Sequence, residues 1–334
     1  MINVALLSRW HVHANDYEKE IRENENFSVQ VIWDEEAERG SKWAEELGVR
    51  FEQDLQKVLT DSSIDAVVVN TPTSMHKEVI LAAAKNHKHI FTEKVLAFSL
   101  EDCQEIYQAV EEHGVKLVVS LPRLTKDYYL YAQKVVDEGL LGTLTMIRCR
   151  LAHNGAVPVN QETSGWLPER FFDKELCGGG SLIDLGAHPI YLTNRLAGPV
   201  SALHARLQQT KQLGVDDSAV VLLEYTSGAL GVIETSFLSQ SSPFQLELYG
   251  THGTLLIENE EIRLLKDGGV MSIEKLDSLP MPIEQWGALI KNDKPSTITK
   301  EDVVNLTVIN EAAALSHQRK CRVEIKDILG ESDE

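Results

Sequence analysis

Short apolar runs alternate, along the first third of the chain, with longer stretches in which apolar residues recur every three or four positions. Residues 4–7 predict a strand, 14–25 a helix, 27–33 a second strand rich in β-branched residues, and 37–47 a helix stopped at Gly48. The pattern continues with a helix at 54–60 and a continuous apolar run at 64–69. A helix at 77–86, a strand at 89–92, a helix at 100–113 closed by Gly114 and a strand at 115–120 complete it. An unbroken apolar run such as 64–69 suits a strand buried on both faces, as in a parallel sheet. Strand and helix alternating at this spacing predict a doubly wound α/β domain.

After about residue 121 the rhythm changes. Residues 143–152 read as a long strand, 162–177 as irregular, and 178–196 as a helix opened by glycines. Five to seven strand signals then crowd into 200–275, among them 219–225, 230–237, 244–249 and 254–257. Strands without intervening helices favour antiparallel pairing. A helix at 301–317, a strand at 322–325 and a frayed acidic tail from 327 end the chain. The expected division is a doubly wound α/β domain over 1–121, a strand-dense second domain over 122–326, and a tail over 327–334.

Composition narrows the function. With 32 Lys and Arg against 51 Asp and Glu, the 334-residue chain carries a formal charge of −19. Such a surface repels a phosphate backbone, so nucleic acid is not an expected partner. No apolar run approaches the roughly 20 residues needed to cross a bilayer, and the N-terminus lacks a signal-peptide pattern. The four cysteines form no CxxC pair, so no structural zinc site is expected. A reduced, cytoplasmic, soluble protein is the expectation.

Candidate chemistry gathers at strand ends. The turn after the first strand runs from Leu6 to Ala14, where a dinucleotide fold would place G-x-G-x-x-G. Ser8, Trp10 and His13 stand at the three glycine positions, so the turn reads equally as an ordinary strand-to-helix connection. Asp34, after the second strand, sits where an acid bonds the adenosine ribose; it also reads as a solvated turn acid. No Arg or Lys stands beside it in sequence, which favours NAD over NADP. Thr71, Pro72 and His76 follow one strand, and Glu93-Lys94 another, both at the carboxyl edge where open α/β sheets bind ligands. The most specific stretch is Gly178-Gly179-Gly180 with Asp184 and His188. The glycines allow close backbone approach to a ligand, and the acid and histidine share a helical face. A His beside a carboxylate can exchange protons near neutral pH.

Taken together, Thr71-Pro72 with His76, Glu93-Lys94, Trp166 ahead of the 178–188 motif, Val215-Asp216-Asp217-Ser218-Ala219 and Gly250-Thr251-His252-Gly253-Thr254 resemble the Gfo/Idh/MocA oxidoreductases. The resemblance covers nearly the whole chain. It implies an N-terminal Rossmann-type doubly wound parallel sheet, a C-terminal α+β domain with a large, mainly antiparallel sheet, and hydride transfer between NAD(P) and a sugar, polyol or cyclitol carbon. Lys94, Asp184 and His188 would be the catalytic residues, with His188 exchanging the hydroxyl proton. Ser8, Trp10, His11, Asp34, Thr71, Pro72, His76, Glu93 and Lys94 would contact the cofactor, and Arg123, His153 and Trp166 the substrate. A homo-oligomer, dimer or tetramer, is expected by the same analogy. The sequence departs from the family at the missing glycines and at Val95, which replaces the proline after the lysine.

Two other readings stand beside this one. The lost glycines suit a non-catalytic relative that senses or scaffolds a sugar or dinucleotide. His11-Val12-His13 has the spacing that barrel metallohydrolases use for two imidazole ligands, though the strand-dense 200–275 stretch does not supply such a barrel.

Overall fold

The structure, a computed structural model, describes residues 1–158 and 164–330. It comprises two compact units, residues 1–122 with 280–299, and residues 123–279 with 300–330.

The first unit begins with β1 (Ile2–Leu7), α1 (Ala14–Glu23), β2 (Phe27–Trp33), α2 (Ala37–Leu47), β3 (Arg50–Phe51) and α3 (Leu55–Thr60). It continues with β4 (Ala66–Val69), α4 (Thr73–Lys85), β5 (His89–Thr92), α5 (Leu100–Glu112) and β6 (Leu117–Val119). The strands form a parallel six-stranded sheet in the order β3-β2-β1-β4-β5-β6, the Rossmann order. β4, Ala-Val-Val-Val, is buried at every position because helices cover both faces of a parallel sheet. The order reverses between β1 and β4, so their carboxyl ends frame the crevice where such folds bind ligands. Helix α4 starts at Thr73, four residues before its expected start, which puts His76 in its first turns rather than in a loop.

The second unit contains α6 (Asp127–Asp137), β7 (Leu144–Ala152), α7 (Lys174–Cys177), α8 (Ser181–Asp184), α9 (Ala187–Ala197), β8 (Val200–Gln208), β9 (Ser218–Tyr225), β10 (Leu230–Ser236) and β11 (Gln245–Gly250). β12 (Gly253–Glu258), β13 (Glu261–Lys266) and β14 (Gly269–Val270) follow. The chain then runs through α10 (Pro282–Asn292), α11 (Lys300–Arg319), β15 (Val323–Glu324) and α12 (Ile325–Leu329). Nine strands form one sheet in the order β14-β13-β12-β11-β7-β10-β9-β8-β15. Among the described residues every pairing is antiparallel except β7 with β10. β9 shows why one face is covered: Ala219, Val221, Leu223 and Tyr225 are buried, while Val220 and Leu222 between them are exposed. Helices α9 and α11 pack on the buried face.

Three features differ from the sequence expectation. First, α10, assigned by sequence to the second domain, belongs to the first unit. Its Trp286 is fully buried, stacked on Phe27 with ring centroids 5.5 Å apart and tilted against Phe91 at 5.7 Å. Burial of that indole, not sequence adjacency, decides where the segment goes. Second, the helix expected over 178–196 starts at Ser181 and divides after Asp184. Gly186 donates its N–H to Ser181 O at 2.9 Å and His188 to Leu185 O at 3.3 Å, so the regular i to i−4 ladder is interrupted there. Third, the tail is not frayed from Asp327, since α12 carries order to Leu329 with Ile325 buried. Residues 331–334, like the start of the irregular stretch at Glu162, lie outside the described residues.

Candidate active site

In the first unit the candidate residues converge on the carboxyl edge of the parallel sheet. Ser8, directly after β1, is buried and adopts φ +74°, the left-handed conformation that the first glycine of a dinucleotide turn would supply. Its Oγ accepts the Trp10 N–H at 3.0 Å, which closes the turn without glycine. Trp10 itself is 6% exposed. At the end of β2 the Asp34 carboxylate is buried, so it is not a solvated acid. It accepts the N–H groups of Arg9 and Glu36, each at 2.8 Å. Arg39 grips it with Nη2 at 2.6 Å and Nε at 3.0 Å. The sequence reading placed no cation beside Asp34. The first turns of α2 bring one back from five positions on, and Gly40 allows it, since a Cβ there would stand 2.5 Å from Asp34 Cβ. Arg39 also binds Glu35 at 2.6 Å and Glu36 at 2.9 Å.

At the end of β4, Asn70 and Thr71 are buried, and neither the Asn70 side-chain amide nor Thr71 Oγ1 has a partner among the described residues. Buried polar groups are rarely left unmatched, so their place at the switch point fits a bound ligand. Pro72 opens α4. His76 is fully buried, with Nδ1 3.0 Å from Val95 O and 3.3 Å from Leu96 O. It braces the segment that follows Lys94, and burial pushes its imidazole below the usual range.

Beyond β5, Glu93 and Lys94 are 2% and 7% exposed. Glu93 Oε2 accepts the Lys94 N–H at 2.8 Å, and Glu93 Oε1 accepts the Tyr17 hydroxyl. Tyr17 Oη also bonds Ser120 Oγ at 2.7 Å. Burial alone would raise the Glu93 carboxyl; its electrostatic interactions with His11, His13 and Lys94, together with the Tyr17 hydrogen bond, outweigh it and hold the carboxyl below its ordinary range. The Lys94–Val95 peptide is cis. The sequence reading missed Tyr17 and Ser120. The i, i+3, i+7 burial of Ala14, Tyr17 and Ile21 in α1 and the strand-end position of Ser120 were the available signals.

His11, His13 and Glu93 offer ligand atoms within 4.8 Å of one another. Each is already engaged: His11 Nδ1 by the His13 N–H at 3.2 Å, His13 Nδ1 by Asp16 at 2.8 Å, and Glu93 as described. The open parallel sheet around them excludes the barrel of the metallohydrolase reading.

In the second unit the glycine motif does something other than expected. A Cβ on Gly180 would lie 1.9 Å from Asp216 O, so the close approach it permits is to this chain's own backbone. Asp216 caps α8 through Gly180 N at 2.9 Å, Leu182 N at 2.8 Å and Ser181 Oγ at 2.9 Å. That cap fixes the start of the segment carrying Asp184 and His188, both half-buried. His188 Nδ1 lies 2.7 Å from the hydroxyl of Tyr191, which also accepts the Arg123 N–H at 3.3 Å. The Arg123 guanidinium bonds Tyr128 Oη at 2.9 Å and lies 4.7 Å from the Phe244 ring centroid. His153 stacks on Phe237 with centroids 5.2 Å apart and meets Trp166 at 4.7 Å. Trp166 is 56% exposed. Thus Arg123 is brought to His188 through Tyr191, and His153 to Trp166.

Comparison with known proteins agrees with the fold. Residues 11–121 match the profile described as an oxidoreductase family with an NAD-binding Rossmann fold, and residues 129–256 match the GFO/IDH/MocA C-terminal domain. The chain is 29% identical to scyllo-inositol 2-dehydrogenase (NAD(+)) of Bacillus subtilis over 297 residues, 81% of each chain. It is 24% identical to myo-inositol 2-dehydrogenase of Thermotoga maritima over 90% of this chain and 92% of the relative. Levoglucosan dehydrogenase, solved with NADH and levoglucosan, shares the fold at a TM-score of 0.81 and 22% identity, over 97% of this chain and 98% of the other. The chain belongs to the Gfo/Idh/MocA family of NAD-binding oxidoreductases.

Proposed function

We propose that the protein interconverts a secondary alcohol and a carbonyl on a sugar, polyol or cyclitol, with Lys94, Asp184 and His188 as its catalytic residues. The observation that carries this reading is Lys94, buried at the carboxyl end of β5 with its backbone fixed to an ionised, buried Glu93. In the first unit, the turn at Ser8, the Asp34 carboxylate and the unmatched groups of Asn70 and Thr71 would hold the dinucleotide. Bound NAD supplies the acceptor for the hydrogen and electron pair that leave the carbinol carbon. In this reading His188 would take the hydroxyl proton, Lys94 would hydrogen-bond a substrate oxygen and favour alkoxide character, and Asp184 would orient the substrate. The exposed indole of Trp166, tilted against His153, offers an apolar face to a sugar ring.

Two relatives act on inositols by name, which makes cyclitols the first substrates to test. The outer face of the nine-stranded sheet, with Val220, Leu222 and Leu230 exposed, supports assembly through a second copy of the chain. Among the described residues no helix is long and apolar enough to cross a membrane, and the cytoplasm is the proposed location.

The test is a panel of polyols and sugars with NAD, run on wild type, His188→Ala and Lys94→Ala. Turnover by wild type that falls by about 100-fold or more in each variant supports the assignment, since a positioned acid/base contributes about 10²–10⁴-fold. Protein that binds NADH yet turns over nothing in the panel would move the reading to a sugar or dinucleotide sensor.

A further inference from the structure

We infer that Tyr191 is the positioning residue of His188, and that it commits the imidazole to exchanging protons through Nε2 alone. The inference rests on the proposed acid/base role of His188.

Tyr191 lies one turn beyond His188 in α9, on the same side of the helix. Its hydroxyl is 2.7 Å from His188 Nδ1. Whichever atom donates, the contact engages Nδ1, so proton exchange with a reacting oxygen would run through Nε2. A ring held only by its Cβ–Cγ bond could turn over and present either nitrogen. A ring tied at Nδ1 cannot do so without losing a hydrogen bond.

The tether is itself anchored. Tyr191 is 1% exposed, so no water competes for the hydroxyl. The Arg123 N–H donates to the same oxygen at 3.3 Å. Arg123 is pinned in turn by its bond to Tyr128 Oη and by its place over Phe244. His188 is therefore held by residues from three separate segments of the second unit. Burial also keeps the Tyr191 phenol protonated far above its ordinary range, so the tether remains a neutral hydroxyl through the working pH range. Orientation by a second residue is how acid/base histidines acquire a defined tautomer, and a misplacement of about 1 Å in a catalytic group can cost about 100-fold.

The experiment pairs kinetics with ¹⁵N NMR of the His188 ring. Tyr191→Phe keeps the buried ring and deletes the hydroxyl. Its kcat should fall about 10- to 100-fold with KM changed less than about threefold. In wild type the His188 nitrogens should report one tautomer, and adding a turned-over polyol should move Nε2 while Nδ1 stays in place. In Tyr191→Phe the two nitrogens should average between tautomers. Wild-type spectra already averaged, or a variant with unchanged kcat and unchanged nitrogen shifts, would overturn the inference. The wild-type spectra do not depend on the variant folding. Should His188→Ala keep full activity, the acid/base reading fails, while the spectra still decide whether Tyr191 fixes the ring.

Discussion

Arg39 lies across Asp34, its Nη2 2.6 Å from Oδ1 and its Nε 3.0 Å from Oδ2, at the end of β2. An arginine in this position could be taken for a 2′-phosphate receptor, but Glu35 and Glu36 bind the same guanidinium. Three carboxylates surround one cation, so a further dianion is repelled. NADH should bind at least tenfold more tightly than NADPH, about 1.4 kcal/mol. Asp34→Ala should narrow that gap from both sides, losing the ribose acceptor and releasing Arg39. Nucleotide-fluorescence titration of both cofactors on both proteins checks this, and an unchanged ratio in the variant would refute it.

The strand runs were legible because β1 and β4 are apolar on both faces, a pattern that only a covered parallel strand tolerates. The Glu93-Lys94 pair was legible because strand ends of such sheets bear ligands. Arg39 was not, because it stands five positions beyond Asp34 and reaches the carboxylate only through the first turns of α2. Trp286 was missed for a larger version of the same reason: nothing in residues 280–299 says which unit will bury them.

That misassigned segment carries its own prediction. Trp286 fills the space between Phe27 and Phe91 in the core of the first unit. Trp286→Ala should destabilise that unit by about 3–5 kcal/mol. Denaturant unfolding with and without NAD should show the loss in the nucleotide-stabilised transition. A loss confined to a nucleotide-insensitive transition would place the segment elsewhere.

The glycine motif was found by sequence and its purpose misread. Gly180 yields to Asp216, whose carbonyl occupies the place of a Cβ, so Gly180→Ala must push the α8 cap away. Overpacking of this kind costs about 1–3 kcal/mol. Activity should fall further than stability accounts for, because the displaced segment carries Asp184 and His188. Thermal unfolding compared with kcat separates the two effects; a fully active Gly180→Ala would contradict the packing.

Glu93 ties cofactor-edge geometry to acid stability. The folded protein holds its carboxyl below the ordinary 4.5. The resulting stabilisation is complete above that value and drains away as pH falls through the lower folded value. Glu93→Gln keeps the shape and removes the titration, so its melting temperature should fall less steeply on acidification below pH 4.5. Parallel melting curves for wild type and variant would show that the Tyr17, His11 and Lys94 surroundings do not bias the carboxyl.

The outer sheet face brings the assembly proposal to a measurement. Val220 and Leu222 on β9 and Leu230 on β10 are 43%, 53% and 56% exposed, and Leu222 lies opposite Val232 in the register of the two strands. Contiguous apolar area of this kind is costly to leave in water and marks a surface made for association. Around it Arg148 pairs with Glu234 and Glu247, and Arg322 with Glu224, while the exposed Arg206 lies opposite Val220 in the β8–β9 register and bonds only Gln208 among the described residues. A second copy meeting this face would bury Leu222 and Leu230 and leave Arg206 at the border of the contact. Leu222→Asp places an unpaired carboxylate at the centre of that contact. Light scattering at micromolar concentration should show an oligomer for wild type and a smaller species for the variant, with the fold retained. A wild-type monomer, or a variant of unchanged mass, would mean that this face serves some other purpose.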